Sequence, residues 1–172
     1  MSFQEIPVAQ LQMNPMTLIS KEWMLVTAGN ETRGYNTMTA SWGHLGAIWG
    51  RNHGYPTSVI YVRPQRYTKE FVDREEYFTL TFFGEEYRKA LALCGSKSGR
   101  DVDKVKECGF TVKTAPCGAP YFEEASLVLV CRKRFAQEMD PANIPADVKE
   151  KWYPQEDYHT LYIGEIIEVL KK

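Results

Sequence analysis

Residues 35–42, YNTMTASW, alternate between two kinds of side chain. The two sets are the hydroxyls of Thr37, Thr39 and Ser41, and the apolar groups of Met38, Ala40 and Trp42. Successive strand side chains point to opposite faces, so the alternation predicts a β-strand with a hydroxyl face. A row of short hydroxyls is a candidate binding surface. A threonine-rich surface strand is the structural alternative, because threonine is common in strands.

Similar β-rich runs punctuate the rest of the chain. They predict strands at 23–28, 57–62, 77–83, 110–114, 126–135 and 158–170. The mostly apolar run at 57–62 is expected to be buried on both faces, and Gly164 predicts a bend or bulge in the last strand.

Helical patterns are fewer and shorter. They predict a helix at 69–76 capped by Thr68, one at 85–93, and one at 102–108 capped by Asp101 and ended by Gly109. The chain has no G-x-G-x-x-G motif and no βαβ rhythm. The pattern therefore predicts a mainly β fold, an antiparallel barrel with short α decorations.

Composition excludes some classes of function. The chain has 172 residues and a net charge of -1, so no global charge favours nucleic acid. No apolar stretch approaches the length of a membrane span, and the N-terminus lacks a signal-peptide pattern. We therefore expect a cytoplasmic protein that partners neither nucleic acid nor membrane.

The four cysteines are widely spaced along the chain. No pair has the C-x-x-C spacing of common zinc sites, and the three histidines are scattered. We expect buried free thiols in a reducing compartment and no metal site.

Two further segments carry groups that suit a phosphate. In YVRPQRYTKEF (61–71), Arg63 and Arg66 precede a predicted helix start, where Thr68 and free N–H groups favour anions. In CGSKSGRDVDK (94–104), small residues and cations separate two predicted helices. Exposed arginines with a routine cap, and an ordinary polar loop, are the structural alternatives.

Together the three segments describe a site for a phosphate with a larger polar group beside it. FMN has this shape, and Trp42 is placed either to flank its ring or to pack in the core. The loop does not fit the Walker A pattern, which disfavours a nucleotide triphosphatase.

The same residues resemble a known family. NTMTASWGHLGAIW, YVRPQRYT, CGSKSGRDVDK, APYFEEASLVLVCRK and DYHTLYIGEI are similar to motifs of the flavin reductase-like proteins, within them the flavoredoxin group. The resemblance runs through nearly the whole chain in family order. It implies one FMN-binding split β-barrel domain over residues 1–172, homodimeric, with one FMN per subunit near the interface.

The resemblance also implies a set of cofactor-binding residues. Met38, Thr39, Ala40, Ser41 and Trp42 are expected beside the isoalloxazine and ribityl groups, so that the short hydroxyls face the flavin. The phosphate and chain are expected at Arg63, Arg66, Tyr67 and Thr68. The expected covering segment comprises Ser96, Lys97, Ser98, Gly99 and Arg100, with Asp103 and Lys104.

One motif departs from the family. Many flavin reductases that use NAD(P)H carry Gly-Asp-His near the C-terminus, where this chain has Asp157, Tyr158 and His159. His159 is therefore a candidate substrate-binding residue at the open face of the flavin, or a strand histidine bonded to backbone.

These features predict an FMN-binding oxidoreductase. It is expected to act as a flavin reductase or a flavoredoxin-like electron-transfer protein, with NAD(P)H or a redox protein as electron donor. Because the flavin carries the chemistry, no catalytic side chain is required. The alternatives are a non-catalytic split-barrel binder of FMN or another phosphorylated ligand, and, less well matched, pyridoxamine-phosphate oxidase-like chemistry. Residues 139–145 and 152–154 are expected to cover the site or the partner, or to form surface loop.

Overall fold

The computed structural model describes residues 2–172 and consists mainly of antiparallel strands. The strands are β1 Gln4–Glu5, β2 Met24–Asn30, β3 Gly34–Ala40, β4 Gly43–Ile48, β5 Tyr55–Val62, β6 Tyr77–Phe82, β7 Val112–Thr114, β8 Pro120–Phe122, β9 Leu127–Glu138 and β10 Thr160–Lys171. The predicted mainly β class is thus confirmed.

Eight of these strands form one sheet. Its order is β3-β2-β6-β9-β10-β5-β4, and β1 pairs with β10 outside this path. β7 and β8 form a separate two-stranded sheet. The register places Thr37 of β3 opposite Thr27 of β2, and Tyr61 of β5 opposite Leu161 of β10.

Short helices decorate the sheet. They are α1 Pro15–Thr17, α2 Tyr67–Arg74, α3 Arg88–Ser96, α4 Lys104–Cys108 and α5 Ala146–Trp152. Single turns of 3-10 helix occur at Val8–Gln10, Glu85–Tyr87 and Pro141–Asn143, and a π-turn at Leu18–Glu22. Among residues 2–172, none of the helices has the length and apolar character needed to cross a membrane.

Two apolar clusters fill the structure. Met38, Ile60 and Tyr162 belong to the first, which lies on one side of the sheet. Leu25, Leu91 and Phe122 belong to the second, where α3 and the β7–β8 pair cover the opposite side. Burial of apolar surface is the main favourable contribution to folding, so the two clusters stabilise the sheet from both faces.

The long β9–β10 pair carries the predicted irregularity. Its register shifts between Ile163 and Gly164, which confirms the bulge expected at Gly164. A Cβ added to Gly164 would lie 2.5 Å from the Phe78 ring, so close packing of that ring requires glycine.

Some element boundaries differ from the sequence prediction. The helix predicted at 69–76 spans Tyr67–Arg74, and Arg66 rather than Thr68 is its N-cap residue. The hydroxyl of Thr68 is buried in the first turn and accepts a 2.8 Å hydrogen bond from Asn36 Nδ2. Asn36 therefore uses the hydroxyl that was expected to cap the helix.

The cap of α4 also lies two residues later than predicted. Asp103, not Asp101, accepts the capping hydrogen bond from Lys106 N at 3.1 Å. Gly109 ends the helix in the left-handed conformation, as predicted. The strand at 43–48 and helix α5 were not predicted, and the strand at 35–42 ends at Ala40.

Candidate functional site

The hydroxyl face of β3 packs against the protein itself. Thr37 Oγ1 lies 2.8 Å from Thr27 Oγ1, and the Thr37 side chain is buried. Thr39 Oγ1 donates to the Leu91 carbonyl of α3. The expectation that the hydroxyl row faces a ligand is therefore wrong for Thr37, and the Thr39 hydroxyl already has a protein partner. Both hydroxyls therefore make hydrogen bonds within the protein, Thr37 to β2 and Thr39 to helix α3.

Two adjoining cavities lie at the end of β3. The larger one, called here the cationic cavity, has a volume of about 390 Å³. Of the predicted residues it is lined by Met38, Arg63, Arg66, Tyr67, Thr68, Ser96, Lys97, Ser98 and Lys104. These residues come from all three segments singled out in the sequence.

The second, called here the ring cavity, has a volume of about 130 Å³. It is lined by Met38, Thr39, Ala40, Ser41, Trp42, Tyr61, Arg63, Arg66 and His159. Met38, Arg63 and Arg66 line both cavities, so the two form one continuous candidate site.

Arg66 stands at the junction of the two cavities. Its Nη1 donates a 2.6 Å hydrogen bond to the Gly95 carbonyl, which fixes the guanidinium between α2 and the end of α3. Burial and the nearby charge of Arg63 lower the pKa of Arg66. An anion in the cationic cavity would counter both effects.

The first turn of α2 borders the same cavity. Tyr67 and Thr68 are its first two residues, and the first N–H groups of a helix have no intrahelical acceptor. These N–H groups and the helix dipole favour a negatively charged ligand. The guanidinium groups of Arg63 and Arg66 line the same cavity, and its one carboxylate, Asp157, is paired with Arg63, so the residues present fit a phosphate group.

Arg63 is held by contacts that sequence reasoning did not identify. It forms an ion pair with Asp157, donates to the Trp152 carbonyl at 2.9 Å, and lies 5.2 Å from the Tyr153 ring centre. Gln65 Nε2 donates to Asp157 at 2.8 Å. In the sequence, Gln65 is marked only by its place between the two arginines of RPQR. Asp157 is marked only as the acidic first residue of DYH.

The loop between α3 and α4 separates the cationic cavity from another crevice. Gly99, Arg100 and Asp103 line that crevice, of about 430 Å³, rather than the two cavities. Arg100 forms an ion pair with Glu70 and lies 4.4 Å from the Tyr67 ring centre. Gly99, Arg100 and Asp103, which were predicted to bind the cofactor, thus lie on the side of the loop away from the cationic cavity.

Gly99 brings the loop close to β3. A Cβ at this position would lie 1.9 Å from Asn36 Oδ1 and 3.2 Å from the Tyr67 ring. No larger residue fits without displacing Asn36. The close approach holds Ser98 and Lys97 over the cationic cavity.

Lys104 is the most buried cation of the site, with 5% of its surface exposed. Its Nζ donates 2.8 Å hydrogen bonds to the carbonyls of Thr37 and Cys94. Burial, and to a lesser degree Arg66, lower its pKa. Lys104 therefore joins β3 to α3 and α4 at the base of the cationic cavity.

His159 forms one wall of the ring cavity and is buried. Its Nδ1 lies 2.9 Å from the Tyr153 hydroxyl, so its partner is a side chain and not backbone. Burial, with a contribution from Arg63, lowers its pKa to about 4. The ring is neutral near pH 7 and lies 5.0 Å from the Trp42 ring, centre to centre.

Trp42 is a cavity residue and not a core residue. Its side chain is 38% exposed, and its ring meets that of Trp152 edge-on at 5.6 Å. Among residues 2–172, no group of His, Cys, Asp and Glu side chains is arranged to hold a metal ion.

The chain is similar to a known protein family and to solved structures. Residues 16–172 match the model of the flavin reductase like domain. Flavoredoxin from Methanosarcina acetivorans is 22% identical, with a TM-score of 0.65 over 95% of this chain and 75% of that one. No protein of curated function matches the sequence significantly.

Two further solved structures share the fold. An FMN-binding domain of a flavin reductases-like enzyme from Shewanella baltica is 18% identical, with a TM-score of 0.67 over 98% of this chain and 76% of that one. A split barrel domain from Shewanella frigidimarina is 16% identical, with a TM-score of 0.65 over 95% and 76% of the two chains. The split-barrel expectation is confirmed.

Proposed function

The chain belongs to the flavin reductase like domain family, and on this basis we propose that it is an FMN-binding oxidoreductase. The observation that carries the proposal is the meeting of the cationic and ring cavities at Met38, Arg63 and Arg66. This arrangement offers a cationic place for a phosphate beside an aromatic-walled place for a ring. Family members of similar fold include an FMN-binding domain, which supports the choice of FMN.

The residues divide their roles along the site. Arg63, Arg66 and the first turn of α2 hold the phosphate, and Lys97 and Ser98 cover it. The end of β3, from Met38 to Trp42, lies along the ring cavity. When bound, the flavin supplies electron transfer in one- or two-electron steps.

His159 and Tyr153 set the polarity of the ring cavity. Because its pKa is lowered to about 4, His159 adds no positive charge near the ring at neutral pH. A neutral imidazole offers one donor and one acceptor, and Tyr153 uses the Nδ1 side. The position of His159 in the wall of the ring cavity supports its predicted substrate-binding role.

The proposed electron donor is either NAD(P)H or a redox protein. NAD(P)H would make the protein a flavin reductase, whereas a redox protein would make it a flavoredoxin-like electron carrier. The FMN-loaded protein is mixed with NADH or NADPH without oxygen, and the flavin absorption band is followed. Bleaching supports the reductase. A band that stays with both nucleotides but bleaches with reduced ferredoxin supports the carrier, and a band that no donor bleaches leaves a non-catalytic FMN binder.

We also propose that the protein is a homodimer in the cytoplasm. β4 lies at one end of the main sheet, and large apolar side chains at its hairpin with β5 are exposed, among them Ile48, Trp49 and Tyr55. Such patches are typical of subunit interfaces. Gel filtration with light scattering should give twice the 19.8 kDa chain mass, and a monomer at micromolar concentration would contradict the dimer. The four free thiols suit a reducing compartment.

A further inference from the structure

A third cavity adjoins the ring cavity and is called here the apolar cavity. Its volume is about 560 Å³, within the usual range for small-molecule sites. Its apolar walls include Met16, Ile19, Trp42, Met139, Val148 and Trp152. α1, α5 and the loop before α5 thus converge on one pocket.

The apolar cavity is continuous with the candidate flavin site. Ser41, Trp42 and Tyr61 line both the apolar cavity and the ring cavity. Tyr153 lines the apolar cavity and contacts His159 of the ring cavity. A molecule in the apolar cavity therefore lies next to the place assigned to the flavin ring.

The charge of the lining restricts what can bind there. Of the described residues that line the apolar cavity, none carries a carboxylate, ammonium or guanidinium group. Arg63, Arg66 and Lys97 line the cationic cavity, where the FMN phosphate is placed. Burying an unpaired charge is costly, so this lining favours a neutral ligand over a nicotinamide dinucleotide with its pyrophosphate.

A hydrogen-bond donor stands at the boundary between the two cavities. The Tyr61 hydroxyl lies 3.3 Å from His44 Nδ1, and both residues line the apolar cavity. Burial raises the pKa of Tyr61, so the hydroxyl keeps its proton near pH 7. A protonated phenol suits a carbonyl oxygen of the ligand, while the aromatic walls suit its ring.

We propose that the apolar cavity binds a neutral aromatic carbonyl compound of the quinone class, as the electron acceptor of this protein. The proposal rests on the proposed function. A quinone becomes a hydroquinone by taking two electrons and one proton from the anionic reduced flavin and a second proton from solvent through the Tyr61 hydroxyl. This transfer would leave the bound FMN oxidised, and the electron donor would then reduce it again.

The test measures binding rather than turnover. Menadione, a neutral naphthoquinone, and naphthoquinone sulfonate, its charged counterpart, are titrated into the oxidised protein, and tryptophan fluorescence is read, because Trp42 and Trp152 line the cavity. We expect menadione to bind at least about tenfold more tightly than the sulfonate. Equal affinities of the two compounds would overturn the proposal.

Charged variants locate the binding. Met139→Asp and Val148→Asp each place a carboxylate at a partly buried position of the lining and should weaken menadione binding about tenfold. Ala146→Asp is the matched control, since it adds the same charge to an exposed position of α5 outside the lining. Met139 lies outside the helices and strands, so Met139→Asp tests the cavity even where Val148→Asp fails to fold. Equal menadione affinities in a folded Met139→Asp or Val148→Asp variant and in the control would also overturn the proposal.

The flavin absorption band distinguishes failure of the proposed FMN binding from failure of the proposed quinone site. Loss of FMN on desalting would count against the proposed function, while the fluorescence titration of the same full-length chain still measures the cavity. Retained FMN with no preference for menadione would overturn only the quinone site.

Discussion

Arg66 Nη1 donates a 2.6 Å hydrogen bond to the carbonyl of Gly95. This bond ties the start of α2 to the last turn of α3, the two elements that face each other across the cationic cavity. It also directs a half-buried guanidinium to the point where the cationic and ring cavities meet. One side chain therefore contributes to both the shape and the charge of the candidate FMN site.

Replacing Arg66 by Ala should weaken FMN binding by about tenfold to a hundredfold. Hydrogen bonds to charged groups contribute about 1.5–3 kcal/mol, which corresponds to that range of affinity. The measurement is FMN titration followed by quenching of flavin fluorescence. Arg132→Ala is the matched control, because the Arg132 side chain is 41% exposed, pairs with Glu76 and does not line either cavity. Equal FMN affinity in the two variants would remove Arg66 from the phosphate site.

Replacing Gly99 by Ala should disturb the loop that covers the cationic cavity. The added Cβ would lie 1.9 Å from Asn36 Oδ1, and Asn36 holds Thr68 of the α2 first turn. Overpacking of this kind costs about 1–3 kcal/mol. We expect a lower urea midpoint and weaker FMN binding.

Gly46→Ala is the control for Gly99→Ala. Nothing lies within 4 Å of a Cβ added at Gly46, so this variant should keep both the urea midpoint and the FMN affinity. If Gly99→Ala behaved like Gly46→Ala, the close approach of the loop to β3 would be wrong.

Burial of His159 predicts a pH dependence of stability. Its pKa is about 4 in the folded chain, against 6.5 for an unperturbed histidine, so between these values the unfolded chain binds more protons. The free energy of unfolding therefore falls as pH decreases from 6.5 through about 4. The urea midpoint should be lower at pH 5 than at pH 7.5. His159→Gln, which cannot titrate, should show a smaller drop, and an equal drop would contradict the assignment.

The two most buried thiols should resist alkylation. Burial raises the pKa of Cys94 and of Cys131 to about 12. At pH 8 about one in ten thousand of each of these two thiols is then ionised to the thiolate, which is the reactive form. Iodoacetamide followed by mass spectrometry should label Cys117 and Cys108 first, and all four cysteines in urea. Early labelling of Cys131 in the folded chain would contradict the structure.

The sequence predicts the β fold well where alternating side chains or a single glycine determine the local backbone. The strand at 77–83, the bulge at Gly164 and the stop at Gly109 follow from side-chain period and backbone freedom. The strand at 43–48 was missed because its residues, GHLGAI, include two glycines and lack regular alternation. Only its pairing with β5 makes it a strand.

The candidate site is predicted less completely, because contacts across the fold decide which side of a segment faces a cavity. The sequence motifs correctly predict that Arg63, Arg66 and Ser98 line one cavity. The role of Thr37 depends on Thr27 and Lys104, which lie on other elements. Asp157 acts through an ion pair with Arg63, about which local sequence carries no information.

FMN retention shows directly whether the cationic and ring cavities bind FMN. The most direct measurement is the visible absorption spectrum of the protein after incubation with FMN and desalting. We predict a flavin band corresponding to one FMN per chain in the unmodified protein, and a reduced band in Arg66→Ala. A desalted protein with no flavin band, while intact FMN is recovered in the wash, would contradict FMN binding at this site.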